Sequence, residues 1–220
     1  MVGYSVRPMN ADDISQVSAI DREAFPTEWP PPSFKRELSS SMVRYLVAQD
    51  ESRRIGSDAK TPAPKSSMWE SLVARMRHVL GRNDGAADVT IAQDVPFIVG
   101  YASIWMMVDE SHLTSIAVRK SHQHQGIGEL LLIAVIKLSL QMKAQVVTLE
   151  VRASNHSAQA LYAKYGFKNV GIRRRYYTDN SEDAVIMTTD NITSPTYQAK
   201  LREMEAKYME RHKALAPTGS

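Results

Sequence analysis

The sequence predicts an α/β domain, because segments with the periodicity of strands alternate along the chain with segments of helical periodicity. The clearest helix, 126–142, begins at two glycines and continues through a long apolar run. The clearest strand, 146–151, is followed by a second helix, 155–165, which Gly166 closes just after its last turn. Strand–loop–helix units of this kind build domains in which helices cover a sheet.

The other elements follow from local patterns in chain order. Asp12 and Asp13 mark the start of the first helix, where the helix dipole favours negative charge. Three consecutive prolines, 30–32, separate that helix from the next one. The remaining predicted strands are 4–8, 43–49, 96–107, 113–118, 167–177 and 183–188, and the remaining predicted helices are 11–23 and 33–38. The last two strands are expected to pair as a hairpin across 178–182.

Two segments differ in composition from the single domain that we expect over residues 1–190. Residues 51–95 are rich in Ser, Lys, Asp, Pro and Gly, which indicates a flexible insertion. An amphipathic helix is expected inside it near 67–81. The basic segment 65–82 packs on its own domain, contacts a partner protein or a membrane surface, or is partly disordered. Residues 191–220 form a C-terminal tail that is expected to be partly helical, with its helix solvated rather than part of the core.

Composition excludes several kinds of chemistry. The 220 residues include no cysteine, so disulfides, thiolate metal sites and a cysteine nucleophile are all excluded. The six histidines show no spacing typical of metal ligands, and no metal is expected. A formal net charge of +3 is too small to indicate nucleic-acid binding, and no direct DNA binding is expected. No apolar run is long enough to span a bilayer, and we expect a cytoplasmic protein.

The two glycines at the start of helix 126–142 form the first candidate site. Gly126 and Gly128 allow backbone N–H groups to approach an anionic ligand at a helix N-terminus. A dinucleotide fingerprint needs a third glycine where Leu131 stands, and a Walker loop needs a lysine where Glu129 stands. Two alternatives remain at this point: a loop for another phosphate-bearing ligand, and a plain strand–helix turn.

Glu150 and Tyr162 form the second candidate site. Period-two alternation places Glu150 in the middle of a strand. A carboxylate there is costly to bury unless it is solvated, paired with a cation or used in catalysis. The structural alternative is an ion pair with Arg152 or Arg173. Tyr162 lies on the following helix, where it either packs in the core or supplies a phenol to the same site. An anion-binding loop beside a carboxylate and a phenol suggests group transfer from a nucleotide-like cofactor.

Four strings in this order resemble the Gcn5-related N-acetyltransferase (GNAT) superfamily: Leu113–Val118, Gln123–Gly128, Leu149–Asn155 and Leu161–Phe167. The string Glu-Val-Arg-x-Ser-Asn within the third, together with residues 173–187, resembles the bacterial RimI branch, which acetylates the N-terminal alanine of a small-subunit ribosomal protein. The resemblance is dense over 112–188 and does not cover the insertion or the tail. It implies a GNAT-like mixed, mostly antiparallel central sheet with helices on both faces.

The resemblance also implies an activity and the residues that carry it. The activity is acetyl transfer from acetyl-CoA to the N-terminal α-amine of a protein, with a ribosomal protein as the partner. Glu150 is implied to be the general base and Tyr162 the general acid. The residues implied to bind the cofactor are Ile116, Ala117, Val118, His124, Gln125, Gly126, Ile127, Gly128, Glu129 and Asn155. Trp29, Tyr176 and Tyr177 are candidates for contact with a peptide substrate, and ordinary packing is the alternative for each.

The phosphate loop departs from the usual pattern of the superfamily at two positions. His124 stands where arginine is common, and Glu129 stands where a basic or small residue is usual. Both changes remove fixed positive charge from the loop. CoA is therefore expected to bind more weakly, or with a pH dependence that comes from His124.

The protonation state of an amine at neutral pH helps to decide which kind of amine is the acceptor. An α-amine with a pKa near ~7.7–8.0 is roughly a tenth neutral at pH 7, whereas a lysine amine near ~10.4 is less than about a thousandth neutral. A single solvated carboxylate base therefore suits an α-amine better. The alternatives that stay open are acetylation of a small-molecule amine or a protein lysine, and a non-catalytic CoA-binding scaffold that contacts partners through 65–82.

Overall fold

The computed structural model describes residues 3–25, 32–55 and 95–213. Its seven strands are β1 (Tyr4–Pro8), β2 (Val43–Ile55), β3 (Val95–Met107), β4 (Glu110–Val118), β5 (Val146–Arg152), β6 (Phe167–Tyr177) and β7 (Glu182–Thr189). Its helices are α1 (Ile14–Ala24), α2 (Phe34–Glu37), α3 (Ile127–Gln141), α4 (His156–Lys164) and α5 (Pro195–Lys213). Within these ranges, no helix is long and apolar enough to cross a membrane.

The strands form one sheet in the order β1-β2-β3-β4-β5-β7-β6. β4 and β5 are parallel, whereas β1–β2, β3–β4, β5–β7 and β6–β7 are antiparallel. The predicted mixed, mostly antiparallel sheet is therefore confirmed, and so is the predicted hairpin of the last two strands. The parallel pair matters most for the site, since it brings β4 next to β5 although the whole of α3 lies between them in sequence.

Helices cover both faces of this sheet, as two neighbouring residues of β3 show. Tyr101 is buried in a cluster with Val17 and Ile20 of α1. A side chain at the neighbouring Gly100 would be on the opposite face of the sheet. There is no room for one, because a Cβ there would lie 3.2 Å from Leu131 and 3.4 Å from Ile127 of α3. α1 and α3 thus pack on opposite faces, and α3 approaches β3 closely because the strand has a glycine at the contact.

The chain divides into two units, one formed by residues 1–52 and 98–220 and the other by residues 53–97. In the second unit, the guanidinium of Arg53 lies 4.0 Å from the centre of the Phe97 ring. The first residues of the predicted insertion are strand, since β2 continues to Ile55 instead of ending near residue 49. The predicted helix near 67–81 and the basic segment 65–82 lie outside the described residues.

The C-terminal helix α5 corrects one expectation. The sequence was expected to place a solvated helix here, because lysines and glutamates dominate it. Instead Tyr197, Leu201 and Tyr208 are buried, and Tyr197 donates a hydrogen bond of 2.8 Å to the backbone carbonyl of Tyr165. The charged residues occupy the exposed side of the helix, and the aromatic and apolar residues bind it to the domain.

Candidate active site

The site begins where β4 and β5 separate. Their parallel pairing runs from Glu110–Val146 to Leu113–Leu149 and stops there. Beyond that point β5 pairs with β7, whereas the end of β4, residues 114–118, pairs with β3 on its other side. This stretch of β4, which includes Ile116, Ala117 and Val118, therefore has an edge that can pair with an extended chain of amide groups.

The N-terminus of α3 lies at the same end of β4. Gly126 is the residue before the helix, with φ of 80°, and no side chain caps the helix there. The N–H groups of the first turn, residues 127–129, have no acceptor within the helix, and the helix dipole favours an anion beside them. A Cβ at Gly128 would meet only Val118, at 4.0 Å, so this turn is open to a ligand. These donors fit a pyrophosphate group, such as that of CoA.

The other loop residues are placed as follows. His124 is exposed and has φ of 61°, which keeps its backbone in the left-handed region. Gln125 is held in place by its side chain, whose Oε1 accepts a hydrogen bond of 2.5 Å from the hydroxyl of Tyr4. Neither residue brings fixed positive charge to the loop. For His124, the expectation that the loop lacks the charge of an arginine therefore applies to the folded loop as well.

Glu129 does not leave an unbalanced negative charge at the loop. Its carboxylate accepts hydrogen bonds from Lys164 at 2.5 Å, from the Tyr165 hydroxyl at 2.6 Å and from Arg211 at 2.9 Å. Burial raises the pKa of Glu129, but these three donors outweigh burial and hold the pKa below its ordinary value. Any direct contact of Glu129 with a cofactor is therefore left to its backbone N–H.

Asn155 begins helix α4. Its side-chain oxygen accepts a hydrogen bond of 3.1 Å from the backbone N–H of Ala158, which is the usual role of asparagine at a helix start. Only the amide NH₂ of the side chain is left to donate to a cofactor. The predicted cofactor role of Asn155 is thus compatible with its structural role at the helix start.

Glu150 lies at the separation point and is almost buried, with 7 % of its side chain exposed. Its Oε2 lies 2.8 Å from Nε2 of His112 on β4, and its Oε1 lies 3.1 Å from the guanidinium of Arg173 on β6. The hydrogen bond from His112 is the main cause that lowers the pKa of Glu150; burial opposes it, and the charges of His112 and Arg173 lower the pKa further. Glu150 is therefore ionised at neutral pH.

The ion-pair alternative for Glu150 is correct for Arg173 and wrong for Arg152. Arg152 instead pairs with Asp179 at 2.8 Å and with Glu182 at 3.1 Å, so it secures the β6–β7 turn. His112 was not among the residues predicted from the sequence. In the parallel register His112 lies opposite Thr148, two residues before Glu150, and this proximity follows only when the pairing of β4 with β5 is known.

Tyr162 is buried against Phe167, with ring centres 5.7 Å apart. Burial raises the pKa of Tyr162, and the neighbouring Tyr177 raises it further, so the phenol stays protonated at neutral pH. Burial also raises the pKa of Tyr177 to about 12, with Arg152 opposing and Tyr176 and Glu150 contributing.

A bulge in β6 places the two adjacent tyrosines. The register between β6 and β7 shifts between Arg173 and Tyr177, and Arg175 has φ of 51°. Asp183 fixes this bulge by accepting a hydrogen bond of 2.8 Å from the backbone N–H of Arg175. Tyr176 is 43 % exposed and packs edge-on against Tyr177 at 5.3 Å. The Tyr176 ring centre lies 5.5 Å from the guanidinium of Arg173, which pairs with Glu150. Trp29, the third predicted substrate residue, lies outside the described residues.

A split parallel pair beside an uncapped helix N-terminus, with an ionised carboxylate at the split, defines a site for acyl transfer from a phosphate-bearing thioester. Comparison with known proteins agrees with this class. Residues 51–167 match the model of the Acetyltransferase (GNAT) family, which is more than half of the chain. The chain belongs to this family and is an acetyl-CoA-dependent N-acyltransferase.

Two relatives and one solved structure illustrate the similarity. A protein of Bacillus subtilis (strain 168) named "Putative [ribosomal protein bS18]-alanine N-acetyltransferase" is 30 % identical over 184 residues, 83 % of this chain and 93 % of that protein. The [ribosomal protein bS18]-alanine N-acetyltransferase of Escherichia coli (strain K12) is 42 % identical over 92 residues, 41 % of this chain and 62 % of that enzyme. The crystal structure of the ribosomal-protein-S18-alanine N-acetyltransferase from Escherichia coli has the same fold, with a TM-score of 0.58 and 24 % identity over 84 % of this chain and 92 % of that chain.

Proposed function

We propose that this protein acetylates the N-terminal α-amine of another protein, and that its substrate is the N-terminal alanine of a small-subunit ribosomal protein. The observation that carries the proposal is the position of ionised Glu150 where β4 and β5 separate, on the same strand pair as the free edge of β4. The names of the bacterial relatives support the choice of an α-amine over other acceptors.

Acetyl-CoA is held in two places in this proposal. The amides of its pantetheine arm pair with the edge of β4 at residues 116–118, and its pyrophosphate accepts from the first-turn N–H groups at residues 127–129. Asn155 donates from its side-chain amide at the start of α4. The backbone N–H at Val118 is suited to polarise the thioester carbonyl, because a backbone donor needs no reorganisation during the reaction.

Glu150 accepts the proton of the amine, and His112 holds the carboxylate in position. A carboxylate whose pKa is lowered is a weak base, so Glu150 works best on an amine that is already partly neutral. An α-amine meets this condition at neutral pH, whereas a lysine does not. Nε2 of His112 lies 2.8 Å from Oε2 of Glu150, and this hydrogen bond holds the carboxylate in position to accept the proton from the amine.

Tyr162 assists the departure of the thiolate. Its phenol is protonated at neutral pH, so it can donate a hydrogen bond and then a proton to the sulfur that leaves. The bond that forms joins the amine nitrogen to the acetyl carbon, and the bond that breaks joins that carbon to the sulfur of CoA. Burial of Tyr162 keeps this donor away from bulk water.

The charges around the site give no particular attraction for a small polycationic acceptor such as a polyamine. Glu150 already pairs with Arg173, and Asp179 and Glu182 already pair with Arg152. A polycation would have to compete with these guanidinium groups for the carboxylates. A peptide N-terminus carries a single ammonium group and can use Tyr176 and Tyr177 as packing partners for its first side chains.

Two peptides test the proposal. One has a free N-terminal alanine and no lysine; the other has a blocked N-terminus and one internal lysine. We expect turnover on the first alone, measured by mass spectrometry of the peptide and by release of CoA thiol. Turnover on the lysine peptide alone would contradict the proposal, and turnover on neither, with CoA still bound, would favour a small-molecule acceptor or a scaffold.

The Glu150→Gln variant tests the base. Loss of general-base catalysis is expected to lower kcat by about 10² or more, while the Kd for CoA stays the same. Asp190→Asn is the matched control, since Asp190 is an exposed carboxylate that pairs with Lys168. Unchanged turnover in Glu150→Gln would remove Glu150 from the mechanism.

A further inference from the structure

The end of α5 lies directly on the loop that precedes α3. A Cβ at Gly126 would overlap with Nε2 of His212, so the imidazole occupies the space that a side chain would need. The ring of Tyr208, one turn earlier, stacks on this imidazole at 4.1 Å. The last turns of the C-terminal helix are therefore part of the surroundings of the proposed phosphate loop, although they lie more than 80 residues away in sequence.

Arg211 is oriented at this place by two acceptors. Its Nη2 donates to both oxygens of Glu129, each at 2.9 Å, and its Nε donates to the carbonyl of Lys207 at 3.4 Å. Among the described residues, no group accepts from its Nη1. The side chain of Arg211 is 52 % exposed, so this third nitrogen is accessible to a ligand. Glu129 belongs to the first turn of α3, and it fixes the guanidinium beside the helix N-terminus.

Glu129 has two cationic partners, since Lys164 and Arg211 both donate to its single carboxylate. These three groups together carry one more positive charge than negative charge. A second polar group is also present, because the Tyr208 hydroxyl is fully buried and has no hydrogen-bond partner among the described residues. Burial, followed by the charge of Glu129, raises the pKa of Tyr208 to about 12.

We propose that Arg211 binds a phosphate group of acetyl-CoA and that Glu129 is the residue that positions it. Arg211 thus supplies, from the C-terminal helix, the fixed positive charge that His124 and Glu129 do not give to the loop. This proposal rests on the proposed placement of the acetyl-CoA pyrophosphate at residues 127–129. An arginine suits the task because its planar guanidinium can bind a carboxylate with one nitrogen and a phosphate with another.

Calorimetric titration of the full chain with CoA tests the proposal. Arg211→Ala is expected to raise the Kd for CoA about tenfold or more, because a hydrogen bond between two charged groups is lost. A second titration with 3′-dephospho-CoA shows which phosphate Arg211 binds. If Arg211→Ala raises the Kd for 3′-dephospho-CoA by the same factor as the Kd for CoA, Arg211 binds the pyrophosphate. If the factor is smaller for 3′-dephospho-CoA, Arg211 binds the 3′-phosphate. Arg202→Ala is the matched control, since Arg202 is exposed on the same helix, and its Kd is expected to stay unchanged.

Kinetics give a second readout. In Arg211→Ala the KM for acetyl-CoA should rise while kcat stays the same, and turnover with acetyl-pantetheine, which has no such phosphates, should be unaffected. If Arg211→Ala does not fold, Arg211→Met keeps the packing of the alkyl chain and replaces it in both measurements. An unchanged Kd for CoA in a folded variant would overturn the proposal and would leave the peptide assay, which tests the proposed function, unaffected.

The double variant Glu129→Gln/Arg211→Ala separates binding from simple neutralisation of charge. If Arg211 acted only by balancing Glu129, removal of the carboxylate would restore the Kd of the double variant to that of the wild type. If Arg211 contacts phosphate, the double variant stays weak. The single variant Glu129→Gln should then weaken CoA binding less than Arg211→Ala does, because the guanidinium loses its orientation but keeps its charge.

Discussion

Gly126 and Gly128 belong to one motif in the sequence, but the structure places them in different surroundings. Gly126 has φ of 80° and no room for a side chain, since His212 fills that space. Gly128 lies inside the first turn of α3, and a Cβ there would make only an ordinary contact with Val118. The fold thus favours glycine at position 126, whereas nothing in the fold itself requires Gly128. Close approach of a ligand is the remaining reason for a glycine at 128.

Alanine at these two positions should therefore have opposite effects on stability. Gly128→Ala is expected to stabilise the protein by about 0.5–1 kcal/mol, because alanine favours the helix, and to weaken CoA binding. Gly126→Ala is expected to destabilise it by at least about 1–2 kcal/mol, because of its left-handed backbone and the clash with His212. Urea unfolding and CoA titration of both variants check this. A Gly128→Ala variant with unchanged CoA affinity would contradict the proposed phosphate contact.

Helix α5 shows why a charged helix can be misjudged from its composition. Lysine and glutamate dominate it, yet Tyr197, Leu201, Met204 and Tyr208 recur at spacings of four, three and four residues, which is a stripe along one face. That stripe was the signal for a packed helix. The place where it packs could not be predicted in the same way, since Glu129 and Gly126 belong to a distant part of the chain.

Two buried tyrosines of this helix, Tyr197 and Tyr208, differ in whether their hydroxyl has a hydrogen-bond partner, so their phenylalanine variants can be compared. Tyr208→Phe removes a hydroxyl that has no partner among the described residues, and it should stabilise the protein by up to about 1 kcal/mol. Tyr197→Phe removes a hydroxyl that donates to the carbonyl of Tyr165 at 2.8 Å, and it should destabilise the protein by roughly 1 kcal/mol. Denaturant unfolding at pH 7 measures both. Equal losses in the two variants would show that the Tyr208 hydroxyl is satisfied in solution, for example by water.

The elements of the site differ in how far they could be predicted. The glycine loop, the strand of Glu150 and the β6–β7 hairpin each have a local pattern, and each is found where it was predicted. His112 and Arg211 have no local pattern of their own. His112 reaches Glu150 through the register of a parallel pair, and Arg211 reaches Glu129 through helix packing. Neither contact is encoded at short range, so a motif search does not find it.

At the scale of the whole molecule, one carboxylate joins three helices. Glu129 of α3 accepts from Lys164 at the end of α4, from Tyr165 just after it, and from Arg211 of α5. Glu150 joins three strands in a similar way, through His112 on β4 and Arg173 on β6. Both carboxylates are largely buried, and removal of either charge leaves cations without a partner. The assembly of the domain is therefore sensitive to protonation of these two groups.

The pH dependence of stability follows with a definite sign. The pKa values of Glu129 and Glu150 are lowered in the folded protein below their ordinary value of 4.5. The unfolded chain therefore binds more protons in acid, so the contribution of these groups is complete above about pH 5 and is lost as the pH falls through the folded-state pKa values. The slope of the unfolding free energy should reach at most about 1.4 kcal/mol per pH unit for each group.

Urea unfolding between pH 7 and pH 3 measures this slope. Glu129→Gln should be less stable than the wild type at pH 7, because Lys164 and Arg211 lose their partner, and it should lose less stability on acidification. The two curves should therefore converge in acid, where Glu129 of the wild type is itself protonated. Parallel curves over the whole range would show that Glu129 has the same pKa in the folded and unfolded states, which would contradict the ion pairs that bind α5 to α3.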